Sequence, residues 1–260
     1  FLHLSVQLPL FLYEKATPSI PWKRTTREFY LVLGLSIPRT LALAAGQISL
    51  FALVGIASFF TAGSISVFMF AFNLQAVPLT IIGVSYSVAA FPTLARLPAA
   101  GQKEEFGRYV ETALRHIFFW SIPATVFVIV MRAQLVRVIL GAGAFSWEAT
   151  RLTAAALALF VLSLAAQSVT LLIARAYYAA GNTRKPLYWG VIDVVVSVTS
   201  SLLFALFFEH SAFLRAFVEA LLRVADVPGT VVLMLALGYA LGSIAEFAVG
   251  LYFFIRDFSV

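Results

Sequence analysis

The stretch TVVLMLALGYALGSIAEFAVGLYFFI, residues 230–255, contains one acid, Glu246, and no Lys or Arg. As a helix its 26 residues rise about 39 Å at ~1.5 Å each, more than the ~30 Å hydrocarbon core of a bilayer. Apolar side chains cover every side of such a helix, which leaves no face for water. Five further segments, 29–60, 64–97, 117–140, 147–180 and 187–208, have the same character. All exceed spanning length, and they are far longer than the ~10 alternating residues of a barrel strand. Because hydrocarbon offers the backbone no hydrogen-bond partner, only helices and closed barrels cross it. The predicted fold is therefore all-α, a polytopic membrane helix bundle of about six transmembrane helices.

The composition agrees. Hydrophobic residues make up 62% of the 260, charged residues 12%, and mean hydropathy is +0.96. Soluble domains carry about a quarter charged residues, so a water-soluble globule is excluded. The net charge of +6 does not indicate nucleic acid, because the cations sit between apolar runs instead of gathering on one solvated face. There is no cysteine, which removes disulfides, thiolate nucleophiles and cysteine-bound metals. The opening residues 1–12 are apolar but too short to span, and lack the basic start and cleavage site of a signal peptide. Residues 1–28 are read as the end of an upstream helix and a cytoplasmic linker, and 29–260 as the membrane bundle.

Lys and Arg set the orientation. Thirteen of the 18 fall on one side, between Lys15 and Arg39, Arg96 and Arg115, Arg175 and Lys185, and at Arg256. The other side holds Arg132, Arg137, Arg151, Arg215 and Arg223. The richer side is cytoplasmic, and the first complete helix runs from inside to outside. Connections carry their own signals. GAGAF (141–145) followed by Ser146 and Glu148 reads as a turn, an N-cap and an acid favoured by the helix dipole. NTRKP (182–186) after Gly181 reads as a tight cytoplasmic turn. Residues 209–228 alternate Phe213, Phe217 and Leu221 with Arg215, Glu219 and Arg223 at helical spacing, which predicts a helix lying along the outer interface. Pro38, Pro78 and Pro123 predict bends inside spans, and Gly238-x-x-x-Gly242 and Ala42-x-x-x-Gly46 predict close helix contacts.

Polar groups in hydrocarbon face protein or a water-filled hollow, so function is sought among them. They are Gln47, Asn73, Gln75, Gln167, Asp193 and Glu246, with Arg39 and Arg175 nearer the cytoplasm. Gln47 and Gln167 suit interhelical hydrogen bonds. Asn73 and Gln75 are two residues apart and point to different helix faces. Asp193 follows Lys185 by about two turns, roughly 12 Å, which predicts a cation partner near the inner surface. Glu246 lies nearer mid-membrane, where it either couples a proton or cation or pairs with a Lys or Arg of another helix. Phosphate loops, zinc-protease and nucleophile-elbow motifs are absent, and His3, His116 and His210 are scattered. No catalytic residue, cofactor or metal is expected.

Beyond these patterns, PRTLALAAGQIS (38–49), ASF (57–59), GSIS (63–66) and FAFNLQAVPL (70–79) resemble the MurJ/MviN family of lipid II flippases. GV (83–84), AFPTL (90–94), GAGAF (141–145), ARAYYA (174–179), NTRKP (182–186) and LGS (241–243) continue the resemblance in order over about residues 28–254. It implies the multidrug/oligosaccharidyl-lipid/polysaccharide exporter fold: fourteen helices in two lobes around a central cavity, of which the six here resemble helices seven to twelve, the C-terminal lobe.

The resemblance further implies a plasma-membrane transporter, not an enzyme, that moves a polyprenyl-pyrophosphate-linked sugar from inner to outer leaflet by alternating access. Its partners would be membrane lipid and an N-terminal lobe, with no nucleic acid. Substrate-cavity candidates are Asn73, Gln75, Gln47, Arg39 and Arg175, with Glu246 and Asp193 as coupling or ion-pair carboxylates. Two departures stand out. The family commonly has Tyr-Ala-Asp-Arg where this chain has Phe70-Ala-Phe-Asn73, and often an acid where Leu53 stands. Asn hydrogen-bonds an anion but does not neutralise it. The missing charge then comes from the N-terminal lobe, or the head group differs, or transport is lost. Alternatives are an exporter of another polyprenyl-linked glycan or small molecule, and a non-transporting scaffold for cell-wall enzymes.

Overall fold

The computed structural model describes residues 22–141 and 145–258. The expected upstream helix end at 1–12, and residues 142–144 of the GAGAF turn, fall outside them. The chain forms two compact units, 1–37 and 38–260. In the first, the described residues open helix α1 (Trp22–Ala57) and expose Phe29, Tyr30, Val32 and Leu35. This helix begins at Trp22 instead of the expected Phe29.

The second unit holds the rest of α1 and eight further helices among the described residues. They are α2 (Ser64–Leu79), α3 (Ser85–Ala99), α4 (Lys103–Leu140), α5 (Trp147–Val161), α6 (Leu164–Ala179), α7 (Arg184–His210), α8 (Ala212–Leu222) and α9 (Val232–Phe258). Five helical stretches are long and apolar enough to cross a membrane: Val32–Ala57, Ser64–Pro98, Glu104–Leu140, Arg184–His210 and Val232–Phe258. The bent pair α5 and α6 makes a sixth if it counts as one span. The all-α polytopic bundle expected from the sequence is thus the observed architecture.

Two of the spans are broken, for different reasons. Pro78 has no N–H to give the preceding turn, and a π turn, Thr80–Val84, follows it and leads into α3. Hydroxyls supply local donors there: Thr80 Oγ1 donates to the Ala76 carbonyl at 2.7 Å and Ser85 Oγ to that of Thr80 at 3.1 Å. The α5–α6 bend of 45° contains no proline. Its corner is Ser163, whose hydroxyl donates to the Phe160 carbonyl at 2.8 Å and accepts from Gln167 Nε2 at 2.8 Å. The two breaks lie against each other, since a Cβ on Gly83 would meet Ser168 Cα at 2.8 Å.

The connections follow their local chemistry. Ser146 Oγ accepts from the Ala149 N–H at 3.1 Å and caps α5, with Glu148 in the first turn. Gly181 takes φ 77, and Asn182 Oδ1 accepts from the N–H groups of Arg184 at 3.2 Å and Lys185 at 3.4 Å. In α8, Phe213, Phe217 and Leu221 form an exposed apolar stripe, while Glu219 is buried and bonded to Thr230 and Arg215.

Buried apolar residues fall into two clusters. One gathers Leu53, Phe68, Phe160, Phe208, Val224 and Leu233 at the end of the bundle that holds α8, and the other Leu94, Phe106, Ile117, Tyr177, Trp189 and Phe254 at the end where α6 turns into α7. Helices α7 and α9 form the tightest seam. A Cβ on Gly238 would overlap Ser201 Oγ and come within 2.6 Å of its backbone nitrogen, and one on Gly242 would overlap Ser197 Oγ. Only residues without side chains let these backbones approach.

Two predictions follow from this packing. Gly238→Ala forces the Ser201 backbone away and lowers stability by about 1–3 kcal/mol, whereas Gly55→Ala, with nothing within 4 Å of the added carbon, does not. Thermal unfolding of the purified protein compares the two. At the outer end, Arg151 donates from both terminal nitrogens to Asp226, at 2.6 and 2.5 Å, and this hydrogen bonding holds the Asp226 carboxyl below its ordinary value. A depressed carboxylate pKa stabilises the fold above the unfolded value, and the gain is lost as pH falls through the lowered one. Asp226→Asn removes that pH dependence: its melting temperature lies below the wild type's near neutrality, by a small margin because the carboxylate is 71% exposed, and the two converge as pH falls through the lowered pKa.

Candidate functional site

Between the two apolar clusters lies a polar layer. It follows from helical spacing on two elements. On α9, Tyr239, Ser243 and Glu246 are four and three residues apart, and on α7, Asp193, Ser197 and Ser201 recur every fourth residue. Each set lies along one face of its helix. The Gly238 and Gly242 seam presses these faces together.

The layer borders a partly open cavity of about 210 Å³ among α1, α2, α6, α7 and α9. Gly46, Gln167, Tyr178, Asp193, Tyr239 and Glu246 are among its walls. Asp193 is buried and accepts from Ser197 Oγ at 3.1 Å. Asp193 and Glu246 both line this cavity. Neither carboxylate has a Lys or Arg within salt-bridge distance among the described residues. The expected cation partner for Asp193 is not formed. Lys185 instead pairs with Asp257, which also accepts from the Tyr177 hydroxyl, because Asp257 lies at the cytoplasmic end of α9, level with the start of α7.

Above the carboxylates, Gln167 is the hub of a second polar group. Its Nε2 donates to Ser163 Oγ at 2.8 Å and to Gln75 Oε1 at 3.4 Å, and its Oε1 accepts from the Tyr239 hydroxyl at 3.4 Å. Phe160 and Phe72 pack edge-on against the Tyr239 ring, at 5.3 and 5.6 Å between centroids. At the cytoplasmic mouth, the Arg39 guanidinium lies 5.0 Å from the centre of the Tyr178 ring. Arg175, one turn below Ala179 on α6, is half-buried and within electrostatic reach of Arg39.

The sequence candidates therefore separate. Arg39, Arg175, Asp193 and Glu246 are brought to one region. Gln75 is 1% exposed and sits in the Gln167 group, so it braces helices instead of facing an open passage. Asn73 and Gln47 are exposed on α2 and α1 and have no side-chain hydrogen-bond partner among the described residues. Leu53 is fully buried in the outer apolar cluster. Tyr178, Tyr239, Ser163, Ser197 and Ser243 were not singled out from the sequence. Their signal was the four-residue spacing of Asp193 with Ser197 and the Tyr239, Ser243, Glu246 face, which a search for charged and amide side chains passes over.

Comparison with known proteins places this geometry. A family model described as "Lipid II flippase MurJ" matches residues 1–222. The chain is 28% identical over 166 residues to a probable lipid II flippase MurJ of Rickettsia prowazekii, an alignment covering 64% of this chain and 32% of that protein. It is 29% identical over 188 residues to the probable lipid II flippase MurJ of Rhizobium tropici, covering 72% and 35%. Among solved structures, "Lipid II flippase MurJ, inward closed conformation" superposes with a TM-score of 0.68 at 22% identity, over 90% of this chain and 46% of that one. That likeness shows the fold. The chain spans about a third of the length of the curated relatives it matches.

The polar layer carries its own test. Gln167→Leu unties Gln75, Ser163 and Tyr239 at once and lowers stability by about 1 kcal/mol, the scale of an interhelical hydrogen bond in a membrane. Gln47→Leu, at an exposed position, leaves stability unchanged. Unfolding in mixed detergent micelles reads the difference.

Proposed function

The chain belongs to the MurJ family and is a multi-pass protein of the bacterial inner membrane, and from that premise we propose that it works as the C-terminal lobe of a lipid II flippase. On this reading its spans correspond to helices seven to twelve of a fourteen-helix fold, with residues 29–260 as the lobe's membrane bundle. An N-terminal lobe completes the passage. The head group of a polyprenyl-pyrophosphate-linked sugar moves through the passage while its tail remains in lipid.

One observation carries the proposal: a partly open cavity with apolar walls whose lining includes Asp193 and Glu246, with Arg39 stacked on Tyr178 at its edge. Such groups are costly in hydrocarbon and mark transport pathways when they face a hollow. Arg39 and Arg175 lie where an anionic head group first arrives from the cytoplasm. Asp193 and Glu246 line the same cavity without a basic partner among the described residues, an arrangement that one proton or one cation satisfies. Filling and emptying that site is the proposed coupling step, and the two broken spans beside it are the parts that rearrange. Asn73 and Gln47, exposed on α2 and α1, extend the hydrogen-bonding wall towards the other lobe.

The test is movement of a fluorescent lipid-linked oligosaccharide in vesicles holding this chain together with an N-terminal lobe. Glu246→Gln lowers the rate at least tenfold, and Asn73→Arg preserves or raises it. Loss of transport in Asn73→Arg at normal expression removes Asn73 from the passage. Unaltered cell-wall growth supported by a variant with a blocked cavity selects the scaffold reading instead, and movement of a different glycan lipid in preference selects another cargo.

A further inference from the structure

At the end of the bundle opposite the cation-rich connections, α4, α5 and the end of α8 enclose a second pocket of about 500 Å³. Arg132, Arg151, Arg223, Gln134 and Trp147 line it, together with apolar residues of α4. This is the side on which the bundle is otherwise poor in cations, so three arginines in one hollow need a reason. Arg151 has one, since Asp226 takes both of its terminal nitrogens. Arg132 has part of one: its Nη2 donates to the Leu222 carbonyl at 3.2 Å, which helps to close α8. A guanidinium has five N–H donors, and no carboxylate lies within salt-bridge distance of Arg132 or Arg223 among the described residues. Arg223 stands directly after α8 at φ 60, ψ 46, a left-handed position that glycine fills without strain. A long cationic side chain is held there in spite of its backbone.

The surroundings are those of a lipid-facing surface. Leu221, Phe217 and Phe213 run along α8 from the pocket, 65%, 57% and 82% exposed, and Val130 and Phe127 are exposed on α4 below it. Trp147, 57% exposed, sits at the rim with the Arg137 guanidinium 5.9 Å from its ring centre, as an interfacial tryptophan does. Two unneutralised arginines at headgroup depth, with apolar stripes leading away for acyl chains, match a monoanionic phosphodiester lipid.

We propose that the pocket formed by Arg132, Arg223 and Trp147 binds the phosphate of an anionic phospholipid of the outer leaflet, with its acyl chains along α8 and α4. The bound lipid would fasten α8, and through it the loop to α9, to the membrane surface.

The test titrates the purified chain in neutral detergent with phosphatidylglycerol, with phosphatidylcholine of the same acyl chains, or with inorganic phosphate, and counts retained lipid by native mass spectrometry while following the melting temperature. Phosphatidylglycerol is retained and raises the melting temperature, and the other two do neither. Arg132→Gln weakens retention but also loosens α8, so Arg223→Gly is the deciding variant. It relieves the left-handed position, keeps or raises the melting temperature without lipid, and weakens phosphatidylglycerol retention about fivefold, the equivalent of one arginine at a membrane surface. Equal retention of phosphatidylcholine overturns the proposal, as does undiminished phosphatidylglycerol retention by Arg223→Gly, which would place the lipid at the cytoplasmic cations. An equal shift with inorganic phosphate alone shows an anion site without a lipid and overturns it too.

Discussion

Hydrocarbon supplies no hydrogen bonds, and the interior of this bundle is arranged around that fact. The amide and carboxylate side chains packed inside the bundle meet a partner on a helix or line a hollow. Gln167 ties itself to Gln75, Ser163 and Tyr239, and Asp193 is served by Ser197 one turn along the same helix. These groups cannot be scattered, because any one alone would lie against lipid or apolar core. They collect into a layer between two apolar clusters, and the layer leaves the cavity that Asp193 and Glu246 share. The small residues on α7 and α9 serve the same end, since only a close seam brings Asp193 and Glu246 to one hollow.

Much of this was legible in the residues. Spans of this length and apolarity have one physical solution in a bilayer, so segments such as 64–97 and 230–255 announced themselves. Ser146 caps its helix and Gly181 turns the chain where expected, because such features depend on a few adjacent residues and no distant contact. The apolar stripe of α8 was readable from spacing alone.

Long-range pairing was not legible. Helical arithmetic puts Lys185 about two turns from Asp193, but the register between α7 and α9, which no local pattern encodes, gives it to Asp257. Asn73 and Gln75, two residues apart, were expected on different faces of their helix, but which of them packs depends on the rotation of α2, which buries Gln75 and exposes Asn73. Proline marked the break in the second span, while the larger bend between α5 and α6 rests on Ser163, a residue common in apolar helices and silent in isolation. Tyrosine and serine escaped attention for the same reason. Their polarity matters only once other polar atoms are near.

The two broken spans differ in what it would take to straighten them. After Pro78 the chain lacks a donor and carries a ring that the preceding turn cannot accept, so that joint is permanent. At Ser163 every amide proton is still present, and the bend is kept by two hydroxyl contacts, each worth on the order of 1 kcal/mol. Exchange of those contacts for ordinary helical ones turns α5 and α6 into a single rod without breaking a covalent constraint. The two breaks thus differ in kind: one is written into the covalent chain at Pro78, the other into the contacts of a single serine.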